Sequence, residues 1–354
     1  MDFINDDRLL IYRNIKRRRI MGLILLLVVV LLLFIIGIGI GTTYIPFIDV
    51  IKAIFNCGDT DTIFIVRNIR LPRALAALIA GGGLAISGCI MQNVLKNEMA
   101  SPSTLGVGNA AVFGANVAII GLGAGSFGAS NGFINLNNPY VVTVFAFVFA
   151  ILSVFLILFL ARIKHFTSES IVLAGVAIGT IFNAGTLILQ FFSEEGELAS
   201  AVFWTFGDLS RANYKECLIM FIIIFVSLLF FIIKGFDYNA IANGRGFAKT
   251  LGVKVERTSI ISLLLASLIT AVCVSFLGII GFVGLIAPQI MKRFVRDDFR
   301  YLIPSSFLFG SALLLLSDLV SRLIIQGTPL PVGAITSLLG GPMFIYLLIR
   351  GRKD

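Results

Sequence analysis

Residues 70–111 read RLPRALAALIAGGGLAISGCIMQNVLKNEMASPSTLGVGNAA. The stretch opens with two arginines around a Leu-Pro pair, continues without a charge from 74 to 95, and closes in a polar turn containing Pro102 and Gly106. The uncharged run of 22 residues is long enough, at 1.5 Å per residue, to cross a hydrocarbon core of roughly 30 Å. It reads as a membrane helix. Small residues recur along it at helical spacing, Gly81, Ala85 and Cys89 on one stripe and Gly83 and Ser87 on another, so neighbouring helices can approach closely there. Such stripes recur in many membrane helices, and each glycine taken singly signals packing and nothing more.

The rest of the chain has the same character. Of its 354 residues 58% are hydrophobic and 13% charged, with a mean hydropathy of +1.01. A soluble domain carries about 25% charged residues, so lipid is the solvent here. The net charge of +9 sits in short basic clusters between apolar runs, the pattern of membrane orientation and not of nucleic-acid binding. Four scattered cysteines (Cys57, Cys89, Cys217, Cys273) show neither a disulfide framework nor metal spacing. His165, the one histidine, lies in a basic loop, so no metal or cofactor site is expected.

Taken in order, the apolar runs predict an all-α integral membrane protein of about ten transmembrane helices. They fall near 20–41, 74–95, 104–122, 139–161, 170–192, 217–233, 259–276, 301–317 and 332–349, with a short Gly-rich, Pro-containing helix at 278–291. Residues 1–19 form a polar segment on the cytoplasmic side, 20–350 a single ten-helix transmembrane domain and 351–354 a cytoplasmic tail. The uncharged stretch 99–161 is about three times what one span needs and must turn back, best at the Gly- and Asn-rich 126–139. The polar segment 42–73 is expected outside, as is the amphipathic 193–216 with Trp204, the only tryptophan, at the membrane surface. Asp318 and Arg322 fall near the outer end of the ninth helix, four residues apart, where they can pair. This arrangement puts 21 of the 28 Lys and Arg on the inner side and both termini in the cytoplasm.

Almost no ionisable residue lies within these runs. Ion-coupled carriers keep such groups at mid-membrane to bind the driving ion, and enzymes need paired acids, an activated nucleophile or a metal cluster. Neither is visible, which leaves a passive conduit moved by another protein, with an ion-coupled secondary transporter as the alternative. The longest inner loop offers an attachment point. Residues 244–253, GRGFAKTLGV, read as a short amphipathic helix with Phe247 and Leu251 on one face, Arg245 and Lys249 on another, and Gly252 at its end. From spacing alone, motor docking and adsorption to lipid headgroups are equal readings.

RLPR at 70–73, GGGLAISGCIMQ at 81–92, NEMASPSTLGVGNAA at 97–111, LAGVAIG at 173–179, GFVGLIAP at 281–288 and LPVGAITSLLGGPMFIYLL at 330–348 resemble the FecCD-type permeases. These are the membrane subunits of type II ATP-binding cassette importers for ferric siderophores, haem and cobalamin. The resemblance runs from about residue 60 to the carboxy terminus. It implies a homodimer with the substrate path on its axis, the fifth and tenth helices lining it, a cytoplasmic ATPase dimer below and an extracytoplasmic binding protein above. It also implies roles for individual residues: Arg70, Arg73 and Arg322 as contacts for acidic groups of the binding protein, Arg245, Phe247, Lys249, Leu251 and Gly252 as the ATPase coupling segment, and Thr167 and Ser168 near the inner gate. Gly81, Gly83, Ala85 and Ser87 remain packing residues. Ferric siderophore ranks first as substrate because that class is the commonest in the family.

Overall fold

A chain in lipid must close its backbone hydrogen bonds within its own segments, and helices do this. The computed structural model describes residues 2–41, 45–102, 105–127, 134–136, 138–163, 167–325 and 329–349. Its helices are α1 (Asp2–Gly39), α2 (Phe47–Ile54), α3 (Thr60–Phe64), α4 (Leu71–Leu95), α5 (Val107–Asn116), α6 (Pro139–Ile163), α7 (Ser168–Phe191), α8 (Glu195–Thr205), α9 (Tyr214–Ile233), α10 (Gly235–Ala242), α11 (Arg245–Thr250), α12 (Val255–Leu277), α13 (Val283–Val295), α14 (Phe299–Leu323) and α15 (Val332–Ile349). One short antiparallel pair, Gly125–Phe127 with Ile134–Leu136, precedes α6. Among the described residues seven helices are long and apolar enough to cross a membrane; the stretch Val107–Gly121 and α15 are shorter apolar helices. His165, Lys164 and the tail at 351–354 lie outside the described residues.

The expected centre of the molecule is its centre. The most apolar window of the α3–α4 rod is 89% buried, against 11% for α1, so α4 is solvated by protein and α1 by lipid. Four helices close on α4 where its side chains are smallest. A Cβ on Gly81 would lie 2.5 Å from the carbonyl oxygen of Gly310 on α14, and Ala85 meets the same glycine. A Cβ on Gly83 would lie 2.5 Å from Ile224 on α9. Ser87 Oγ donates to the Ala266 carbonyl of α12 at 2.6 Å. The tightest approach is made by a residue outside both stripes: a Cβ on Gly88 would lie 1.6 Å from the carbonyl oxygen of Gly284 on α13.

The short helix expected at 278–291 runs instead over Val283–Val295, and three further differences from the sequence expectation bear on the charged ends of the bundle. The second span begins at Thr60, so Arg70 and Arg73 lie within a helix and not in an outer segment. Pro72 brings no N–H, and the six residues before α4, Ile65–Arg70, widen into a π-helix in which the Leu71 N–H reaches the Val66 carbonyl. The helix therefore passes the proline unbroken. Residues 13–19 continue α1, as arginine and lysine are good helix formers. Asp318 and Arg322 belong to the last two turns of α14.

At the basic end of the bundle one carboxylate ties three elements together. Asp298 accepts from Arg19 of α1 (2.8 Å), from Asn239 of α10 (3.0 Å) and from Arg300 Nε and Nη2 (2.9 and 2.8 Å). Burial alone would raise the Asp298 carboxyl, but hydrogen bonds from Arg300 and Asn239, with the Arg300 charge, bring it down to about 2. A depressed carboxyl stabilises the fold above its ordinary value of 3.8 and loses that contribution as pH falls through about 2. The melting temperature of the wild type is thus expected to fall with pH across this window. The Asp298→Asn variant starts lower at neutral pH and shows less of that slope in thermal unfolding of nanodisc-held protein.

Candidate functional site: a buried guanidinium cluster and an exposed apolar pair

The three arginines singled out by sequence converge at the opposite end of the bundle, and all are buried: Arg70, Arg73 and Arg322 are 4%, 5% and 7% exposed. Asp318, fully buried, lies between two of them, 2.7 Å from Arg73 Nε and 2.6 Å from Arg322 Nη2. The pairing of Asp318 with Arg322 one turn on is the one anticipated from their spacing. Arg70 and Arg322 also close the end of α1. Arg70 Nη1 donates to the carbonyls of Ile38 (3.2 Å) and Gly39 (2.7 Å), and Arg322 Nη1 to those of Gly37 (3.0 Å) and Ile40 (2.8 Å). The last carbonyls of a helix lack intrahelical partners and carry its negative dipole end, so two guanidinium groups satisfy both needs. Asp208, in the turn after α8, stands 3.9 Å from Arg73 Nη1.

Sequence reading places these arginines at one end of the protein but misses Asp318 as their shared partner. The local signal was the i,i+4 spacing to Arg322; Arg73 lies 245 positions away and nothing local links it. In a single chain the cluster joins α1, α4 and α14 and leaves little guanidinium surface for another protein.

The segment after α10 contrasts with it. A Schellman motif ends α11: the Val253 N–H bonds to the Ala248 carbonyl and the Gly252 N–H to that of Lys249, both at 3.0 Å, with Gly252 at φ +81°. Ala248 is buried, while Phe247 and Leu251 are 52% and 61% exposed and adjacent on the outer face. Arg245 reaches back to the Val94 carbonyl at the end of α4 (3.2 Å), and Lys249 pairs with Glu256 (3.2 Å). Charge thus holds the segment in place and two apolar side chains face outward. Thr167 is the N-cap of α7, its Oγ1 accepting from the Ser170 N–H at 3.2 Å, and Ser168 is the first helical residue.

On α7 the exposed face includes polar residues. Thr180 Oγ1 returns to the Val176 carbonyl at 2.8 Å. The Asn183 side chain is exposed and makes no hydrogen bond among the described residues.

A bundle of long apolar helices with a buried polar cluster at one end and an exposed apolar pair at the other is a multi-pass membrane protein. The chain belongs to the FecCD transport family, whose model matches residues 27–350. It is 46% identical over 338 residues to a protein of Methanocaldococcus jannaschii described as an ABC transporter permease, covering 96% of each chain. It is 30% identical to the hemin transport system permease of Yersinia pestis, covering 86% of this chain and 89% of that one, and 34% identical to a vitamin B12 import system permease of Escherichia coli, covering 81% and 84%. Among solved structures it is similar to a transporter described as of the metal-chelate ABC type in an inward-facing conformation, with a TM-score of 0.78 and 26% identity over 94% of this chain and all of that one. The chain is therefore the membrane-spanning permease of an ABC importer, lodged in a prokaryotic plasma membrane.

Proposed function

We propose that two copies of this chain form the path of a metal chelate across the membrane, a ferric siderophore first, with haem and cobalamin in the same size class. An ATP-binding cassette ATPase dimer on the cytoplasmic side drives the movement and an extracytoplasmic binding protein delivers the chelate. Both termini are cytoplasmic on this reading, in keeping with the 21 basic residues on that side. The observation that carries it is the exposed amide of Asn183, well inside a helix of 24 residues. An amide facing lipid there would lack partners, whereas one facing a water-filled path or a second subunit would not. The short α15 completes the lining, and Thr167 and Ser168 stand at the inner gate.

Phe247 and Leu251, presented by Arg245, Lys249 and Gly252, dock into the ATPase. Arg70, Arg73 and Arg322 supply positive potential just below the outer surface and steer acidic groups of the binding protein, an effect of the field and not of direct contact. Uptake in proteoliposomes should require ATP, the ATPase and the binding protein together, and should survive collapse of the proton and sodium gradients. Uptake by this chain alone overturns the proposal. Phe247→Glu with Leu251→Glu places two charges on an exposed face, so folding and melting temperature should hold while ATPase copurification and uptake are lost. Retention of the ATPase by this variant removes the docking assignment.

A further inference from the structure

Where α12 ends and α6, α9 and α15 begin, the helices leave a cavity of about 760 Å³. Small-molecule sites fall at about 300–1,000 Å³ with mostly apolar and aromatic walls. Here Tyr140, Phe203, Trp204 and Phe206 form such walls. The charges lining the cavity are Asp208, Glu216 and Arg211. Arg211 is already engaged, donating to the carbonyls of Trp204 (2.9 Å), Phe203 (2.8 Å) and Phe206 (3.3 Å) while its guanidinium sits 5.9 Å from the Trp204 ring centre. Glu216 is buried and accepts from the Asn213 N–H at 2.9 Å. Asp208 is half-exposed, accepts from Ser210, and faces Arg73, itself bound to Asp318.

A polyanion entering this space meets two carboxylates and, among the described lining residues, a single cation, Arg211, three of whose five N–H donors are already given to backbone carbonyls. An uncharged chelate with an apolar or aromatic surface meets four aromatic side chains, Tyr140, Phe203, Trp204 and Phe206. We infer that the cavity is a receiving site in each subunit for an uncharged, largely apolar metal chelate, and that it turns away polyanionic ones. The inference rests on the permease reading and narrows its substrate class. It also gives the cavity a place in the path: through Asp208 and Arg73 it adjoins the guanidinium cluster where the binding protein is steered, so a delivered chelate enters it directly.

Trp204 is the only tryptophan in the chain, so fluorescence of the full-length protein in nanodiscs reports this wall alone. Titration with a neutral ferric trihydroxamate should give saturable quenching, with the gallium complex as control for light absorption by iron. A polyanionic ferric tricatecholate should bind at least about tenfold more weakly, and Tyr140→Ala with Phe206→Ala, both on exposed side chains, should weaken the trihydroxamate by a similar factor. Quenching that never saturates, equal affinity for both chelates, or no response to the double substitution overturns the inference. If ATP-driven uptake persists alongside such a result, the permease reading stands and only the cavity assignment falls.

Discussion

Replacing Asp318 by alanine is expected to destabilise the protein by about 3–5 kcal/mol, the cost of leaving buried charge without its partner. Two guanidinium groups lose it at once, Arg73 at 2.7 Å and Arg322 at 2.6 Å, and neither can turn outward because both are held against packed helices. Arg322 would remain tied to the carbonyls of Gly37 and Ile40, while Arg73 would keep only the distant Asp208. The measurement is thermal unfolding in nanodiscs, with yield of monodisperse protein as a second reading. Asp318→Asn retains hydrogen-bonding atoms without the charge and should fall between. Combining Asp318→Ala with Arg73→Met should recover part of the loss, since an apolar side chain there needs no partner. If these arginines were merely outer contacts for another protein, Asp318→Ala would leave the melting temperature unchanged. The melting temperature of one variant thus separates the two readings.

The same cluster explains what the sequence conceals. A charge read along the chain is assigned to water, and on that rule the second span was expected to start after Arg73. Burial of Arg70 and Arg73 depends on the end of α1 and on Asp318, partners no local window contains. Where the determining signal is local, the reading holds closely. The expected spans at 139–161 and 170–192 differ from α6 and α7 by two residues or fewer at each end, because uncharged, mainly apolar runs set them. The pair Phe247 and Leu251 was legible for a similar reason: four residues of spacing and a terminal glycine fix a helix, its outward face and its stop. Trp204 shows the limit from the other side. An aromatic in an amphipathic outer segment reads as an interfacial anchor, but it is 4% exposed and forms a cavity wall because Arg211 folds the turn after α8 back over it. Asn239 and Asp298, likewise, are two polar loop residues until the fold brings Arg19 to them.

Gly88→Ala should be as damaging as the loss of Asp318, for a steric reason. The added carbon would lie 1.6 Å from the Gly284 carbonyl oxygen and 2.4 Å from the carbonyl carbon. Both are backbone atoms of α13, and alanine has no rotamer with which to avoid them. Relief requires α4 and α13 to move apart, yet α4 is gripped on its other faces by α9, α12 and α14, so separation on one side becomes compression on another. Overpacking a core costs about 1–3 kcal/mol and occasionally more. With backbone on both sides of the contact, about 3 kcal/mol or failure to fold is expected, read as melting temperature and as the monodisperse fraction after extraction. Gly22 on lipid-facing α1 is the control. A Cβ there meets nothing within 4 Å, and removing a glycine from an exposed helix interior should leave stability unchanged or raise it by up to about 1 kcal/mol. A Gly88→Ala protein that melts with the wild type would mean that α13 can move away from α4 at no cost. The buried rod could not then be the rigid frame that holds the guanidinium cluster at one end and, through Val94 and Arg245, α11 at the other.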